Sequence, residues 1–281
     1  MTEMIGFSLV NLLVPDEPAD FSVQGPIASW SIAQTPIYPN QVSRLSKGTS
    51  CAETYHAVAQ IPRRQIEDAF REFRNMCLVF SYLTGSAVTI KRTVPGSFIT
   101  LLQAGDGFPR QRGLSGAGAV VSDLAEFRYK AEQMLRRFQR QIATNHIDII
   151  IHHLMDAFMC WSLEDLLLNS FTIMEMIQQN ERKYARNPKL YLYDAITKGS
   201  QRLRISRLSR DFHKMRQDLI HEGKLSACHF AGRSKQDCAS VCVHMLNWID
   251  KYIHKVFRLN VPRPARHRHN CLVSLNSYSL W

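Results

Sequence analysis

The side chains best suited to chemistry lie in the segment RQDLIHEG, residues 216–223. A histidine has an ordinary pKa of about 6.5, so His221 can accept or donate a proton near neutral pH. Arg216 carries a permanent positive charge and a planar set of donors that match a phosphate. The two residue types therefore suit proton transfer beside a phosphate whose developing negative charge is held by the guanidinium.

The spacing of Arg216 and His221 sets a condition on the backbone that carries them. Residues five apart lie about 140° apart around a regular α-helix, so the two side chains cannot share one face. Gly223 is the residue type preferred just beyond a helix end, which predicts that helical geometry stops after His221. The pair converges if this end unwinds or if two chains bring their motifs together. Asp218, between them, is a candidate for orienting one of the pair and equally a surface acid.

A helix over about residues 201–221 is predicted to position this pair. Its apolar residues recur at spacings of three and four, which indicates one buried stripe. The stripe consists of Ile205, Leu208, Phe212, Met215 and Leu219.

The same stretch is unusually basic. Residues 198 to 216 hold seven Lys or Arg residues and one acid, Asp211. Although charge runs are usually solvated surface, an excess of one sign favours a track for a phosphate backbone. The candidate RNA-binding residues are Arg207, Arg210, Lys214 and Gln217.

Four other helices are predicted in the C-terminal half. One follows the candidate cap Ser122, and the others cover about residues 147–161, 162–180 and 237–257, each with an apolar stripe. Helices joined by short loops form an antiparallel bundle.

The N-terminal part mixes strands with one helix. Strand patterns cover residues 7–14, 21–33, 54–61, 87–94 and 97–103, and a helix after Pro62 is expected to stop at Thr84-Gly85. The fold class is therefore predicted as α+β. The predicted organisation is a mixed α/β domain at 1–103, a glycine-rich linker at 104–118, a helical bundle at 119–260 and a loosely ordered basic tail at 261–281.

Composition indicates the kind of partner and the cellular compartment. The 281 residues carry a formal net charge of +11, which favours polyanionic partners. Seven scattered cysteines argue against a disulfide framework and fit a reducing cytoplasm. The N-terminus lacks the features of a signal peptide, and no apolar run is long enough for a membrane helix, so we expect a cytoplasmic chain with no membrane partner.

The motif and its setting resemble the HEPN superfamily, whose RNA-cleaving members carry an R-x4–6-H motif near the last helices of a bundle. Gln217 stands where the family usually has a polar residue, and the segment DLLLNSFTIMEMIQQNE (165–181) resembles its apolar helix with an embedded Glu, here Glu175. The segment at 73–90 also resembles one that precedes the bundle in ApeA-like HEPN proteins. The HEPN-like part covers about residues 120–260.

The resemblance implies a metal-independent RNA endonuclease without a cofactor, with Arg216 and His221 as the catalytic pair. It further implies a homodimer in which two motifs face each other, a role in antiviral defence or as a toxin, and possible regulation by a protein partner. Glu175 is a candidate catalytic residue or a partner for an arginine inside the bundle. The alternative is a noncatalytic HEPN-like module that binds RNA, nucleotide or protein.

Two metal-binding patterns compete with this interpretation. Cys238, Cys242 and His244 have zinc-like spacing, but both cysteines lie on an apolar stripe that His244 does not share, which favours core cysteines. The set His152, His153 and Asp156 could begin a metal site, although no partner motif accompanies it. We therefore expect no bound metal.

Overall fold

The computed structural model describes residues 1–14, 19–38, 53–100, 118–160, 163–218, 235–262 and 265–268. The chain divides into two compact units. Unit 1 comprises Met1–Arg112 and Ala119–Gln139, and unit 2 comprises Gly113–Gly118 and Arg140–Trp281. An antiparallel sheet in unit 1 and helices in both units confirm the predicted α+β class.

Unit 1 is built on a five-stranded antiparallel sheet in the order β2-β3-β4-β1-β5. The alternation of buried and exposed residues in β2 and β3 shows why these segments form strands with one covered face. The strands are β1 (Thr2–Val10), β2 (Phe21–Gln24), β3 (Ser29–Gln34), β4 (Glu53–Pro62) and β5 (Thr89–Thr93).

Helix α1 (Ile66–Thr84) covers the sheet and ends where the sequence predicts. Gly85 adopts a left-handed conformation, with φ of 67°, that glycine accommodates without strain. Phe73 of α1 stacks on Phe7 of β1 at a centroid distance of 4.4 Å. The buried carboxylate of Glu72 accepts hydrogen bonds from the backbone N–H groups of residues 27 and 28 and from the Trp30 indole.

The predicted strand at 97–103 does not form over residues 97–100. This segment instead meets β1 through isolated contacts, in which the Phe98 N–H donates to the Met4 carbonyl and the Ser97 hydroxyl accepts from the Gly6 N–H. Residues 101–103 and most of the predicted linker, 104–117, lie outside the described residues.

Helix α2 (Leu124–Asn145) begins one residue later than a Ser122 cap would allow. The Asp123 carboxylate accepts from the Glu126 N–H, so Asp123 caps the helix, and the Glu126 carboxylate accepts from the N–H of Ser122, one residue before the cap. Phe127 packs against Phe21 and Phe80. Through Gln139, therefore, the helix expected to open the bundle groups with unit 1.

Unit 2 is helical in its described residues. The helices predicted at 147–161, 162–180 and 237–257 are present with modest changes in length. The helices of this unit are α3 (Ile147–Met159), α4 (Leu163–Ala185), α5 (Leu192–Leu203), α6 (Asp211–Arg216) and α7 (Lys235–Val256).

The single helix predicted over 201–221 is wrong, because the chain leaves helical geometry at Arg204. The Arg204 N–H bonds the Gln201 carbonyl and the Ile205 N–H bonds the Ser200 carbonyl, which together close α5 with a Schellman motif. Arg204 holds the left-handed position with φ of 54°. Helical geometry resumes only at Asp211, so a short α6 carries Arg216, and His221 lies outside the described residues.

Part of the predicted loose tail is packed rather than loose. Arg266 and His267 are buried, and each places a side-chain nitrogen 3.3 Å from the Asp250 carboxylate of α7. The Asn247 side chain also exchanges two hydrogen bonds with the backbone of His267. These contacts fix residues 265–268 to α7, and the two nitrogens offset part of the cost of burying the Asp250 carboxylate.

Among the described residues, no helix combines the length and apolar character that a membrane crossing requires.

Candidate functional site

Three side chains on one side of α6, or directly before this helix, face a common cavity. Arg210, His213 and Arg216 are spaced by three, which places them on one side of a helical segment. The adjoining side is anchored by Phe212 and Met215, both fully buried. This anchoring orients the three basic or imidazole groups toward a common cavity, which they help to line.

The cavity has a volume of about 360 Å³ and lies within unit 2. Its second wall comes from the start of α5, through Tyr191 and Tyr193, and a third contribution is Glu175 of α4. The Arg210 guanidinium lies 5.3 Å from the centre of the Tyr193 ring, which is within cation–π range. The cavity therefore combines aromatic rings with cations.

Arg216 forms an ion pair with Glu175, in which its Nη2 donates to Oε1 of the carboxylate. The Glu175 side chain is 46% exposed and that of Arg216 is 20% exposed. Because water reaches this pair, the carboxylate can be displaced by another anion at modest cost. The structure thus places two of the predicted catalytic residues side by side.

The remaining predicted residues are dispersed. Arg207, Lys214 and Gln217 are exposed, and Asp218 is half-buried; among the described residues, none of these four lines the cavity. Lys214 lies 3.9 Å from Asp211, so part of its charge is balanced locally. His221 lies outside the described residues.

The helical turn changes character directly after Arg216. Gln217 and Asp218 adopt π-helical geometry. In a π turn the hydrogen bonds run from residue i to i+5, so residues five apart approach one face more closely than in an α-helix. A π turn continued to His221 would therefore bring its side chain closer to the face that carries Arg216 than an α-helix would.

Not all of the predicted basic track is open surface. Arg202 is bound by Glu181, with its Nε 3.0 Å from Oε2, and stacks 4.0 Å above the Tyr184 ring. An arginine held in this way serves the packing of α4 against α5. The electropositive surface is therefore smaller than the sequence count of charges suggests.

Sequence reasoning missed six of the nine described residues that line the cavity, among them His213, Tyr191 and Tyr193. His213 belongs to the spacing-of-three series with Arg210 and Arg216, a signal that was readable within the basic stretch. Tyr191 and Tyr193 lie at the start of α5, before the loop that leads to α6. Nothing in the sequence around Arg216 indicates that these two rings face the same cavity.

The metal-binding patterns find no structural support in the described part of the chain. Cys238 and Cys242 are fully buried core residues, as predicted, whereas His244 is exposed. Over the described ranges, no group of three or more histidine, cysteine or acidic side chains is arranged to hold a metal ion, and this includes His152, His153 and Asp156.

Comparison with protein-family models, with curated proteins and with solved structures finds no match to this chain.

Proposed function

We propose that this protein is a metal-independent RNA endonuclease in which Arg216 and His221 form the catalytic pair. The observation that carries the proposal is the position of Arg216 in an open cavity beside Arg210 and His213. Cations and an imidazole that converge on one concave surface suit a phosphodiester, because its negative charge increases in the transition state.

The proposed reaction joins a ribose 2′-oxygen to the adjacent phosphorus. His221 takes the proton of the 2′-hydroxyl as the new O–P bond forms. Arg216 holds the equatorial phosphate oxygens while the bond from phosphorus to the 5′-oxygen breaks, and that oxygen takes up a proton from water. The products are a 2′,3′-cyclic phosphate and a 5′-hydroxyl. No oxidation state changes in this reaction, and the proposed step uses no metal ion.

Glu175 and Asp218 have supporting roles in this proposal. Glu175 holds the Arg216 guanidinium in the cavity until a substrate phosphate competes for it. Asp218, three residues before His221 in the sequence, would orient one member of the pair. Arg207, Lys214 and Gln217 would contact the RNA backbone beyond the cavity, because all three are exposed.

The meeting of Arg216 and His221 is proposed to occur by one of two routes. The π turn at 217–218 supports convergence within one chain. A homodimer, which the HEPN resemblance implies, supplies the other route. A defence or toxin role in the cytoplasm is part of the same proposal, and four buried free cysteines fit a reducing compartment.

The test is cleavage of RNA by the full chain in the presence of a chelator. We expect products ending in 2′,3′-cyclic phosphate, and loss of cleavage in His221→Ala with an unchanged unfolding transition. The matched control is His244→Ala, because His244 is exposed on α7 and is not a described cavity residue. Cleavage that needs a metal, or that survives His221→Ala, would overturn the proposal.

A noncatalytic RNA- or nucleotide-binding module is the second candidate. The ion pair between Arg216 and Glu175 favours it, since a guanidinium already neutralised by a carboxylate offers less charge to a transition state but can still exchange partners with a bound phosphate. Under this alternative the protein binds RNA and leaves it intact. Glu175→Gln should then tighten binding, because the competing carboxylate is removed, without producing any cleavage.

A further inference from the structure

Tyr191 is an exposed aromatic residue between two buried leucines. Its exposed fraction is 77%, whereas Leu190 and Leu192 are almost completely buried. The backbone is therefore anchored on both sides of a ring that projects into solvent at the rim of the cavity. Large exposed aromatic rings on fixed backbone are typical of binding surfaces rather than of packing.

The loop that presents Tyr191 is held to α4 by side-chain hydrogen bonds. The Leu190 carbonyl accepts from the Gln178 amide at 2.8 Å and from the Arg182 guanidinium at 2.9 Å. The Asn187 side chain accepts from the Lys189 N–H at 3.0 Å, which stabilises the preceding turn. A ring on such a loop binds a ligand without first paying the entropy of ordering the backbone.

The surroundings of Tyr191 match the chemistry of one nucleotide. Arg210 and Arg216 supply cations for a phosphate, and Gln178 and Asp194 add polar groups to the wall. The volume of about 360 Å³ lies at the lower end of the range of about 300–1,000 Å³ for small-molecule cavities. A cavity of this size admits one nucleotide and excludes a duplex.

We infer that the cavity is a subsite for one unpaired nucleotide of single-stranded RNA. Its base stacks on the Tyr191 ring, and its phosphate lies toward Arg210 and Arg216. The inference rests on the proposed function and specifies its substrate class. Stacking selects single strands, because the face of a base is covered by its neighbours in a helix and open only where the strand is unpaired.

The experiment measures binding separately from cleavage. A fluorescently labelled RNA with 2′-O-methyl groups throughout cannot be cleaved by 2′-hydroxyl attack, so its anisotropy reports binding alone. The wild-type chain should bind the single strand in preference to a blunt duplex of the same sequence. Tyr191→Ala should weaken single-strand binding by about tenfold, in keeping with one stacked base.

Two variants act as controls for this effect. Tyr191→Phe retains the ring and should keep near wild-type affinity. Tyr129→Ala removes another exposed tyrosine, 61% exposed and located on α2 in unit 1, and should leave binding unchanged. All three variants change exposed side chains, so each should unfold like the wild type, which circular dichroism checks.

Failure of the subsite and failure of the nuclease give different results. The subsite is overturned if Tyr191→Ala binds the single strand as tightly as wild type, if Tyr191→Phe is as weak as Tyr191→Ala, or if no strand binds. Cleavage of unmodified RNA is scored independently. Stacking-dependent binding without any cleavage would retain the subsite and overturn the catalytic proposal.

Discussion

Helix α4 carries two glutamates that each bind an arginine, and the two pairs differ in the burial and the surroundings of the carboxylate. Glu181 is 2% exposed; it receives the Arg202 guanidinium on both oxygens and the Tyr252 hydroxyl at 3.3 Å. Glu175, six residues earlier, is 46% exposed and holds Arg216 at the edge of a cavity. The first pair is closed by packing, whereas the second is open to an incoming ligand.

This difference separates a structural pair from a functional one. A buried carboxylate with charged and neutral donors cannot exchange partners, because every alternative leaves a charge without compensation. An exposed carboxylate loses little when its partner is taken by another anion, because water replaces the contact. We therefore expect the closed pair to govern stability and the open pair to govern ligand binding.

The largest effect should follow removal of the cation from the closed pair. Arg202→Met leaves the buried Glu181 carboxylate without its charged partner. Allowing for the 31% exposure of the Arg202 side chain, we expect a loss of about 3 kcal/mol in the free energy of unfolding, at the low end for a broken buried pair. Urea denaturation followed by circular dichroism measures this loss.

The matched variant is Arg216→Met in the open pair. Its cost in unfolding free energy should stay below about 1 kcal/mol, since Glu175 can be solvated. Equal losses for the two variants would show that both pairs are structural and would remove the contrast.

The next largest effect concerns activity at the open pair. Arg216→Met should lower the rate of RNA cleavage by about 10²–10³-fold in the presence of a chelator, because a fixed donor to the developing phosphate charge is lost. Single-turnover kinetics on a short labelled RNA give this rate. Arg74→Met, which removes an exposed guanidinium from α1 in unit 1, should cleave at the wild-type rate. If both variants behave alike, Arg216 has no special role.

The contrast between the two pairs could be predicted from the sequence only in part. The HEPN resemblance of residues 165–181 indicates Glu175, with a catalytic and an arginine-pairing role both open. The burial of Glu181 was not predicted, because it depends on Tyr252 and Gly199, which come from other helices. Which glutamate is closed is decided by tertiary packing, and a periodic pattern along one helix does not contain that information.

The interruption of the predicted helix over 201–221 at Arg204 also could not be predicted from the sequence. Three helices of unit 2 end in a Schellman arrangement with an arginine in the left-handed position, at Arg186, Arg204 and Arg258. Glycine is the usual residue there, and it correctly marked the end of α1 at Gly85. Arginine does not mark a helix end in a sequence. The apolar spacing continues beyond Arg204 and therefore predicts one continuous helix.

A smaller effect is expected where α5 approaches the closed pair. A Cβ added at Gly199 would lie 3.2 Å from Cδ and 3.3 Å from Cγ of Glu181. Because Arg202 and Tyr252 fix that carboxylate, it cannot retreat, and the crowding should outweigh the gain of about 1 kcal/mol in helix propensity. We expect Gly199→Ala to lower the free energy of unfolding by about 1–2 kcal/mol.

A double-mutant cycle checks the cause of this loss. In a Glu181→Ala background the crowding disappears, so Gly199→Ala should become neutral or stabilising. The same penalty in both backgrounds would place the strain elsewhere.

The smallest effect should come from the hydroxyl that completes the closed pair. Tyr252→Phe removes the donor to Glu181, and because the bond is 3.3 Å long we expect a loss of about 1 kcal/mol at pH 7. Burial raises the pKa of Tyr252 above its ordinary value of 10, although Arg202 acts in the opposite direction. The folded state therefore keeps this proton at a pH where the unfolded chain has released it.

The sign of the pH dependence follows from this difference. The contribution of Tyr252 is fully present below about pH 10 and is lost as the pH rises above it, since the unfolded state then binds fewer protons. Tyr252→Phe should therefore show a shallower loss of stability between pH 9 and 11 than the wild type, as measured by urea denaturation across that range. Parallel curves for the two proteins would mean that water reaches the Tyr252 hydroxyl. The pair of Glu181 and Arg202 would then be open to solvent, as the pair of Glu175 and Arg216 is.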